Sequence, residues 1–273
     1  MAIEVFNRYE NKYLLDTEAF HLFYNRLLEY MELDEYNKEH EFYSISNIYF
    51  DTRHDALIRK SLSKPKYKEK IRLRAYGIPE HDAKVYLELK KKVFGLVNKR
   101  RTALKLNEAY DFVSTGMMPE IRDYMNKQVV HEMQYFLQRY DLEPKVYLAY
   151  DRKALFSKEN RDLRITFDTN IRSRRYDLML ESGDHGEALL KTGQWLMEVK
   201  AEKTIPVWMS KLLSEHQMYR TSFSKYGNEY KKMIMNRTSL KRRDFEVAQR
   251  SPGKLREFEV AQRSLGKEDI QYA

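Results

Sequence analysis

The chain has 273 residues, no cysteine and a formal charge of +9 with a pI near 9.3. Disulfides and thiolate metal sites are thereby excluded, and the charge points to an anionic partner, which could be nucleic acid, an acidic membrane surface or a phosphorylated small molecule. Aromatic residues at 13 %, with nine glycines and six prolines, argue against disorder over most of the length, and the length itself admits one large domain or two small ones.

The start, Met-Ala-Ile-Glu-Val-Phe-Asn-Arg, lacks the apolar run of a secretory leader, and no stretch approaches a membrane span, so a soluble cytoplasmic protein is expected. A first strand, about Val5 to Leu14, precedes a helix capped by Asp16 or Thr17, with Phe20, Phe23, Tyr24, Leu27, Leu28 and Met31 at helical spacing. A strand at Tyr43 to Phe50 ends in Asp51-Thr52, and Arg53 to Leu62 reads as a short helix before Pro65. Strands follow at Lys68 to Tyr76 and Lys84 to Lys92; Phe94-Gly95 signals a reversal, making Leu96 to Leu106 the antiparallel partner of the Lys84 strand.

From Asn107 to Tyr140 the spacing is helical, interrupted near Gly116 and Pro119, with an apolar stripe of Ile121, Tyr124, Met125, Met133, Phe136 and Leu137. Strands return at Lys145 to Arg152 and Leu163 to Arg172, joined by a polar turn near Asn160. A loose glycine-bearing segment leads to a strand at Trp195 to Lys203, and a helix follows Pro206, placed in its first turn. Ser222 or Ser224 caps a last helix running to about Met235. Two domains of unequal weight are expected: a folded body over 1–236, and a basic tail over 237–273. In that tail Arg243 to Lys254 is nearly repeated by Arg256 to Lys267, and the tail is expected to be flexible or loosely helical and dispensable for chemistry.

The strands share one pattern. In Lys84 to Lys92, Val85, Leu87 and Leu89 fall on one face, while Lys84, Tyr86, Glu88, Lys90 and Lys92 fall on the other. Lys70, Arg72 and Arg74 alternate with apolar neighbours in the same way, as do Arg164, Thr166 and Asp168, Glu198, Lys200 and Glu202, and Arg8, Glu10 and Lys12. One charged strand face is ordinarily solvated. Five of them suit a barrel whose apolar outer face is covered by helices and whose charged face lines a lumen.

A glycine-rich phosphate loop, a Gly-x-Ser-x-Gly elbow and a paired-histidine metal motif are all missing, so a phosphate site here must be built from side-chain cations. Lysine and arginine projected from several strands would bind a linear chain of phosphates. Glu10, Glu88, Glu198 and Glu202 either neutralise neighbouring cations or hold a divalent, oxygen-loving metal.

The runs Arg8-Tyr9-Glu10-Asn11-Lys12-Tyr13, Ile48-Tyr49-Phe50-Asp51, Lys70-Ile71-Arg72-Leu73-Arg74-Ala75-Tyr76-Gly77, Leu87-Glu88-Leu89-Lys90, Tyr150-Asp151-Arg152, Leu163-Arg164-Ile165-Thr166-Phe167-Asp168, Met197-Glu198-Val199-Lys200 and Phe223-Ser224-Lys225-Tyr226 occur in that order. As an ordered set, over about Phe6 to Met235, they resemble the VTC (vacuolar transporter chaperone) domain of polyphosphate polymerases, within the CYTH-like triphosphate tunnel metalloenzymes. The resemblance implies an α+β fold: an antiparallel eight-stranded β-barrel tunnel flanked by helices. It implies that Lys12, Arg72, Arg74, Lys90, Lys99, Arg152, Arg164, Lys200 and Lys225 bind phosphate, and that Glu198, with Glu10 second, binds Mn2+ or Mg2+. Lys200, Arg72, Arg74 and Glu198 would carry catalysis.

The implied activity is metal-dependent transfer of the γ-phosphoryl group of ATP onto a polyphosphate chain. A tripolyphosphatase or nucleoside triphosphatase on the same scaffold is the alternative, and a non-catalytic polyanion-binding module the second. Nucleic acid is disfavoured, because its binding calls for cations on an exposed face with stacking aromatics. Two departures stand out. The phosphate-sensing domain and membrane helices of fungal relatives have no counterpart in this chain, so export of product would fall to a membrane-protein partner encoded elsewhere. Thr221 and Ser222 also stand where the family's last helix is richer in lysine.

Overall fold

A computed structural model describes the backbone of residues 5–249 and the side chains of residues 9–239. Among these residues the order is β1 (Val5–Leu15), α1 (Thr17–Leu27), β2 (Met31–Leu33), α2 (Glu35–Glu39), β3 (Tyr43–Thr52), α3 (Ala56–Leu62), β4 (Tyr67–Tyr76), β5 (Lys84–Val93), β6 (Leu96–Lys105), α4 (Leu106–Thr115), α5 (Lys127–Arg139), β7 (Leu142–Ser157), β8 (Arg164–Arg174), β9 (Glu187–Ala188), β10 (Trp195–Ala201), α6 (Val207–Glu215) and α7 (Lys225–Gln249). The barrel and its helices belong to one compact unit that ends at Gly227; beyond it α7 continues to Gln249 as part of a second unit.

Every strand pairing is antiparallel, in the order β7-β3-β4-β5-β6-β1-β10-β8. The sixteen-residue β7 is long enough to pair with β3 on one side and β8 on the other, so the row of eight returns on itself. The short strands β2 and β9 extend the ends of β7 and β8.

The alternation decides which face points where. Ile71, Leu73, Val85, Leu87 and Leu89 are buried outside the barrel under Phe112 and Val113 of α4 and Val130, Met133 and Phe136 of α5. A second cluster joins Tyr13 and Leu15 of β1, Ile165 and Phe167 of β8 and Met197 and Val199 of β10 to Phe20, Phe23 and Leu27 of α1 and Met209 and Leu212 of α6. Within it the Phe20 ring lies flat on Trp195, with centroids 3.8 Å apart. With the outer faces committed to these two layers, the charged positions have only the lumen.

Several boundaries differ from the sequence pattern. Met31 does not extend the stripe of α1, which ends at Leu27; it pairs with Ser157 in β2 and is buried there. Ile121, Tyr124 and Met125 lie in the connection between α4 and α5. Gly116 ends α4 in the left-handed conformation (φ 67°), and Asn126 starts α5 afresh by accepting the Val129 amide at 3.1 Å. Pro206 is the N-cap of α6, one place before its first turn. The last helix passes Met235 and runs into the first copy of the repeat as far as Gln249; the rest of that copy and the whole of the second lie outside the described residues.

Leu87 has no exposed surface, and truncating a fully buried leucine costs about 2–5 kcal/mol. Leu87→Ala is therefore expected to lower stability by that amount in urea unfolding; a loss below about 1 kcal/mol would contradict burial of this face beneath α4 and α5.

Candidate active site

Strand register sets the charge pattern of the lumen. On β1 and β10, Glu10 lies opposite Lys200 and Lys12 opposite Glu198, so each charge meets its opposite across the ladder. On β4 and β5, Arg72 faces Glu88, but Lys70 faces Lys90 and Lys68 faces Lys92. Lys99 of β6 lies opposite Lys90, and Arg152 of β7 opposite Asp168 of β8.

Two carboxylate centres organise these cations. Glu88, 1 % exposed, takes both Arg72 Nε (2.9 Å) and Nη2 (2.8 Å) on one oxygen, with Arg74 Nε at 3.6 Å and Lys99 Nζ at 3.3 Å. Burial opposes its charge, yet the Arg74, Lys99 and Arg72 cations outweigh burial and hold its carboxyl well below the usual range. Arg72 also donates to the Tyr49 hydroxyl at 2.7 Å, and Arg74 to Asn47 at 3.1 Å and Tyr150 at 3.2 Å.

Glu198 is the second centre. One of its oxygens accepts from Lys12 (2.8 Å) and Lys225 (3.4 Å); the other meets Lys200 at 2.7 Å and Arg152 at 3.9 Å. It too is held well below the carboxylate range, burial being overcome chiefly by Lys12, Lys200 and Lys225. Glu10 shares Lys12 (3.0 Å) and binds Lys90 (3.0 Å). Asp168, fully buried, grips Arg152 through two bonds (2.6 and 2.9 Å) and also accepts from Lys225.

Some cations are left under strain. Lys70 donates to Ser224 Oγ at 2.9 Å and has no carboxylate partner among the described residues; burial and the neighbouring Lys90 and Lys68 push it down to about 7. Burial likewise pushes Lys99 and Lys200 down to about 8, although each touches a carboxylate. The cause is sharing: Glu198 and Glu88 divide their charge among several cations, while each lysine bears its own desolvation in full. Tyr150 moves down to about 8, because Arg74, Arg152 and Lys225 outweigh its burial.

The structure brings Glu10, Lys12, Arg72, Arg74, Lys90, Lys99, Arg152, Glu198, Lys200 and Lys225 into this one set of contacts. Arg164 stands at its rim, where it reaches Asp34 and the Tyr43 hydroxyl at 3.4 Å each while its buried Nε has no partner among the described residues. Glu202 does not join them: β10 ends at Ala201, and Glu202 is exposed beside Asn160, Asp162 and Lys203. Asp168, Tyr49, Tyr150 and Lys70 belong to the lumen without having been singled out as site residues. For Asp168 and Lys70 the signal was available, since each keeps the period of a charged strand face.

Among the described residues, no group of three histidine, aspartate or glutamate side chains gathers as a ready metal site. The Glu10 and Glu198 carboxylates nonetheless converge on one ammonium, that of Lys12. One or two carboxylates completed by phosphate oxygens is the donor set that Mg2+ and similar ions take, so these residues fit a divalent metal.

An antiparallel barrel of eight strands, its lumen crossed by cations from most of them, defines a triphosphate tunnel fold. The VTC domain profile matches residues 7–234, and the chain belongs to the VTC domain family. No curated protein matches it in sequence. Among solved structures, a Bacillus halodurans protein provisionally named an adenylate cyclase superposes with a TM-score of 0.50 at 17 % identity, covering 81 % of this chain and 96 % of its own. A Hippeastrum protein named an adenylyl cyclase, described with a dominant triphosphatase activity, reaches 0.43 at 16 % identity over 80 % and 93 %. The Mimivirus capping enzyme triphosphatase reaches 0.34 at 10 % identity over 78 % and 88 %.

Glu88→Gln would leave Arg72, Arg74 and Lys99 together without their counter-charge. It is expected to cost about 3 kcal/mol in denaturant unfolding, with much of the loss regained on adding tripolyphosphate; a neutral effect would contradict the role of Glu88. A polyanion entering the lumen would raise the depressed lysines, which are partly neutral at pH 8. Binding should therefore take up protons at pH 8 and weaken as pH rises from 7 to 9. Titration calorimetry in two buffers of different ionisation enthalpy checks this, and proton release would contradict it.

Proposed function

We propose that the protein is a metal-dependent polyphosphate polymerase, transferring the γ-phosphoryl group of ATP to a growing phosphate chain inside the tunnel. The observation that carries this reading is the convergence of Lys12, Arg72, Arg74, Lys90, Lys99, Arg152, Lys200 and Lys225 from six strands and one helix start upon one lumen, with Glu198 among them. These cations exceed what the lumen carboxylates neutralise. A chain of phosphates supplies the missing charge along a line, as the tunnel presents it.

In this reaction an oxygen of the acceptor's terminal phosphate forms a bond to the γ phosphorus, and the bond from that phosphorus to the β–γ bridging oxygen breaks. The nucleoside diphosphate leaves with the electron pair. Arg72 and Arg74, already fixed by Glu88, Tyr49 and Asn47, would orient the phosphates without reorganising. Lys200 would stand against the transferring group, and Lys225, Arg152 and Arg164 would hold the neighbouring phosphates. Glu198 and Glu10 would hold a Mn2+ or Mg2+ ion, which supplies charge neutralisation at phosphate oxygens. Water in place of the acceptor would give a triphosphatase on the same residues.

Among the described residues no helix is long and apolar enough to cross a membrane. The proposed use of ATP accords with a cytoplasmic site, and a membrane-protein partner is the proposed route for export of product.

Incubated with ATP and Mn2+, the purified protein is expected to give a polyphosphate ladder on gels. Lys200→Ala and Glu198→Gln should each reduce it at least ~100-fold. Free phosphate without a ladder would replace this reading by a triphosphatase, and neither product by a polyanion-binding module.

A further inference from the structure

The two mouths of the tunnel are chemically unlike. Followed one way along β4 and β5, the inward positions run through Lys70 and Lys90 to Lys68 and Lys92, two directly opposed pairs of like charge. Among the described residues Lys68, Lys70 and Lys92 make no ion pair; Lys68 donates to the Ser61 carbonyl at 3.2 Å and Lys70 to Ser224. Opposed like charges destabilise a ladder, so this end is costly unless an anion lies over it.

Followed the other way, Tyr76 comes next after Arg74 on β4 and Tyr86 next after Glu88 on β5, while Tyr43 of β3 lies directly opposite Arg152. Tyr36 of α2 completes the group: its ring is parallel to that of Tyr76 (3° between planes, centroids 6.1 Å apart) and lies 5.6 Å from that of Tyr43. Tyr86 meets Tyr76 edge-on at 5.8 Å and carries the Arg101 guanidinium 4.2 Å over its face. Tyr36 is 61 % and Tyr76 41 % exposed, so aromatic surface is open to solvent within one strand position of phosphate-binding candidates. At the lysine mouth the exposed Phe94 ring already carries the Lys66 ammonium at 5.6 Å.

We propose that the exposed Tyr36 and Tyr76 rings form a stacking platform for the nucleobase of the donor nucleotide, and that the opposed lysines Lys68, Lys70, Lys90 and Lys92 at the other end take phosphate alone. This rests on the reading of ATP as donor. Stacking on a tyrosine tolerates any base because every base has a π-face, and it asks of the protein only an open ring beside the phosphate site. At the far end the opposed lysines of β4 and β5 offer a polyanion several cations in a row and a neutral base nothing, and Lys68 and Lys70, lowered by burial and like charge, regain their protons beneath it.

The test compares ATP with inorganic tripolyphosphate, which has no base, by titration calorimetry without metal. Tyr36→Ala and Tyr76→Ala are expected to weaken ATP about tenfold and tripolyphosphate less than twofold. The double variant Lys70→Gln/Lys92→Gln, a partly exposed pair that leaves the core untouched, should weaken long-chain polyphosphate and leave the ratio of ATP to tripolyphosphate affinity as in the wild type. Tyrosine variants that weaken both ligands equally, or neither, overturn the proposal while tripolyphosphate binding leaves the tunnel reading standing; so does a ratio that the lysine pair changes and the tyrosines do not. If the wild type binds neither ligand, the proposed function falls and the inference with it.

Discussion

A closed barrel that turns its charged faces inward must hold many cations at short range in a space water cannot fully reach. Everything distinctive about this protein follows from how that repulsion is met. Buried guanidinium and ammonium groups cannot be left uncompensated, since the desolvation of each is worth several kcal/mol. The chain supplies carboxylates that each serve several cations, Glu88 for Arg72, Arg74 and Lys99, and Glu198 for Lys12, Lys225, Lys200 and Arg152. Sharing fixes the side chains in place but leaves a surplus of positive charge, which appears as lysines pushed down toward neutrality.

That surplus links the fold to the proposed ligand. The apolar layers under α1, α4, α5 and α6 hold the barrel shut, and the stability they provide allows the lumen to remain electrostatically unfavourable when empty. On the proposed reading a phosphate chain would relieve this stress, and affinity and order in the lumen would rise together. The rigid arginines, tied to Glu88, Tyr49 and Asn47, would meet the ligand without moving, while the lysines adjust their protonation.

The inward and outward faces were legible in the sequence because strand alternation has a period of two, and a charge at every second residue survives any error in strand ends. The barrel followed from the recurrence of that pattern in β1, β4, β5, β8 and β10, and the ordered runs around Lys12, Arg72, Lys90 and Lys200 led to the VTC family. Which charge meets which was not legible. Glu88 gathers three cations only because β4, β5 and β6 pair in one register, and Lys225 reaches Asp168 from an element 57 residues away. Met31 and the segment through Met125 were misplaced for a related reason: apolar spacing alone does not mark the end of a helix, which Leu28 and Gly116 set by local backbone geometry. The tyrosine mouth needed the fold itself, since Tyr36, Tyr43, Tyr76 and Tyr86 come from four separate elements.

The central claim is that the lumen, and not the outer surface, is where phosphate binds. A crystal structure of the protein grown with tripolyphosphate tests it most directly. The account predicts the ligand threaded between Arg72, Arg74, Arg152 and Lys200, with the Glu88 contacts retained and Lys12 drawn off Glu198. Tripolyphosphate found only on the barrel exterior, with the lumen ion pairs unchanged, would contradict it.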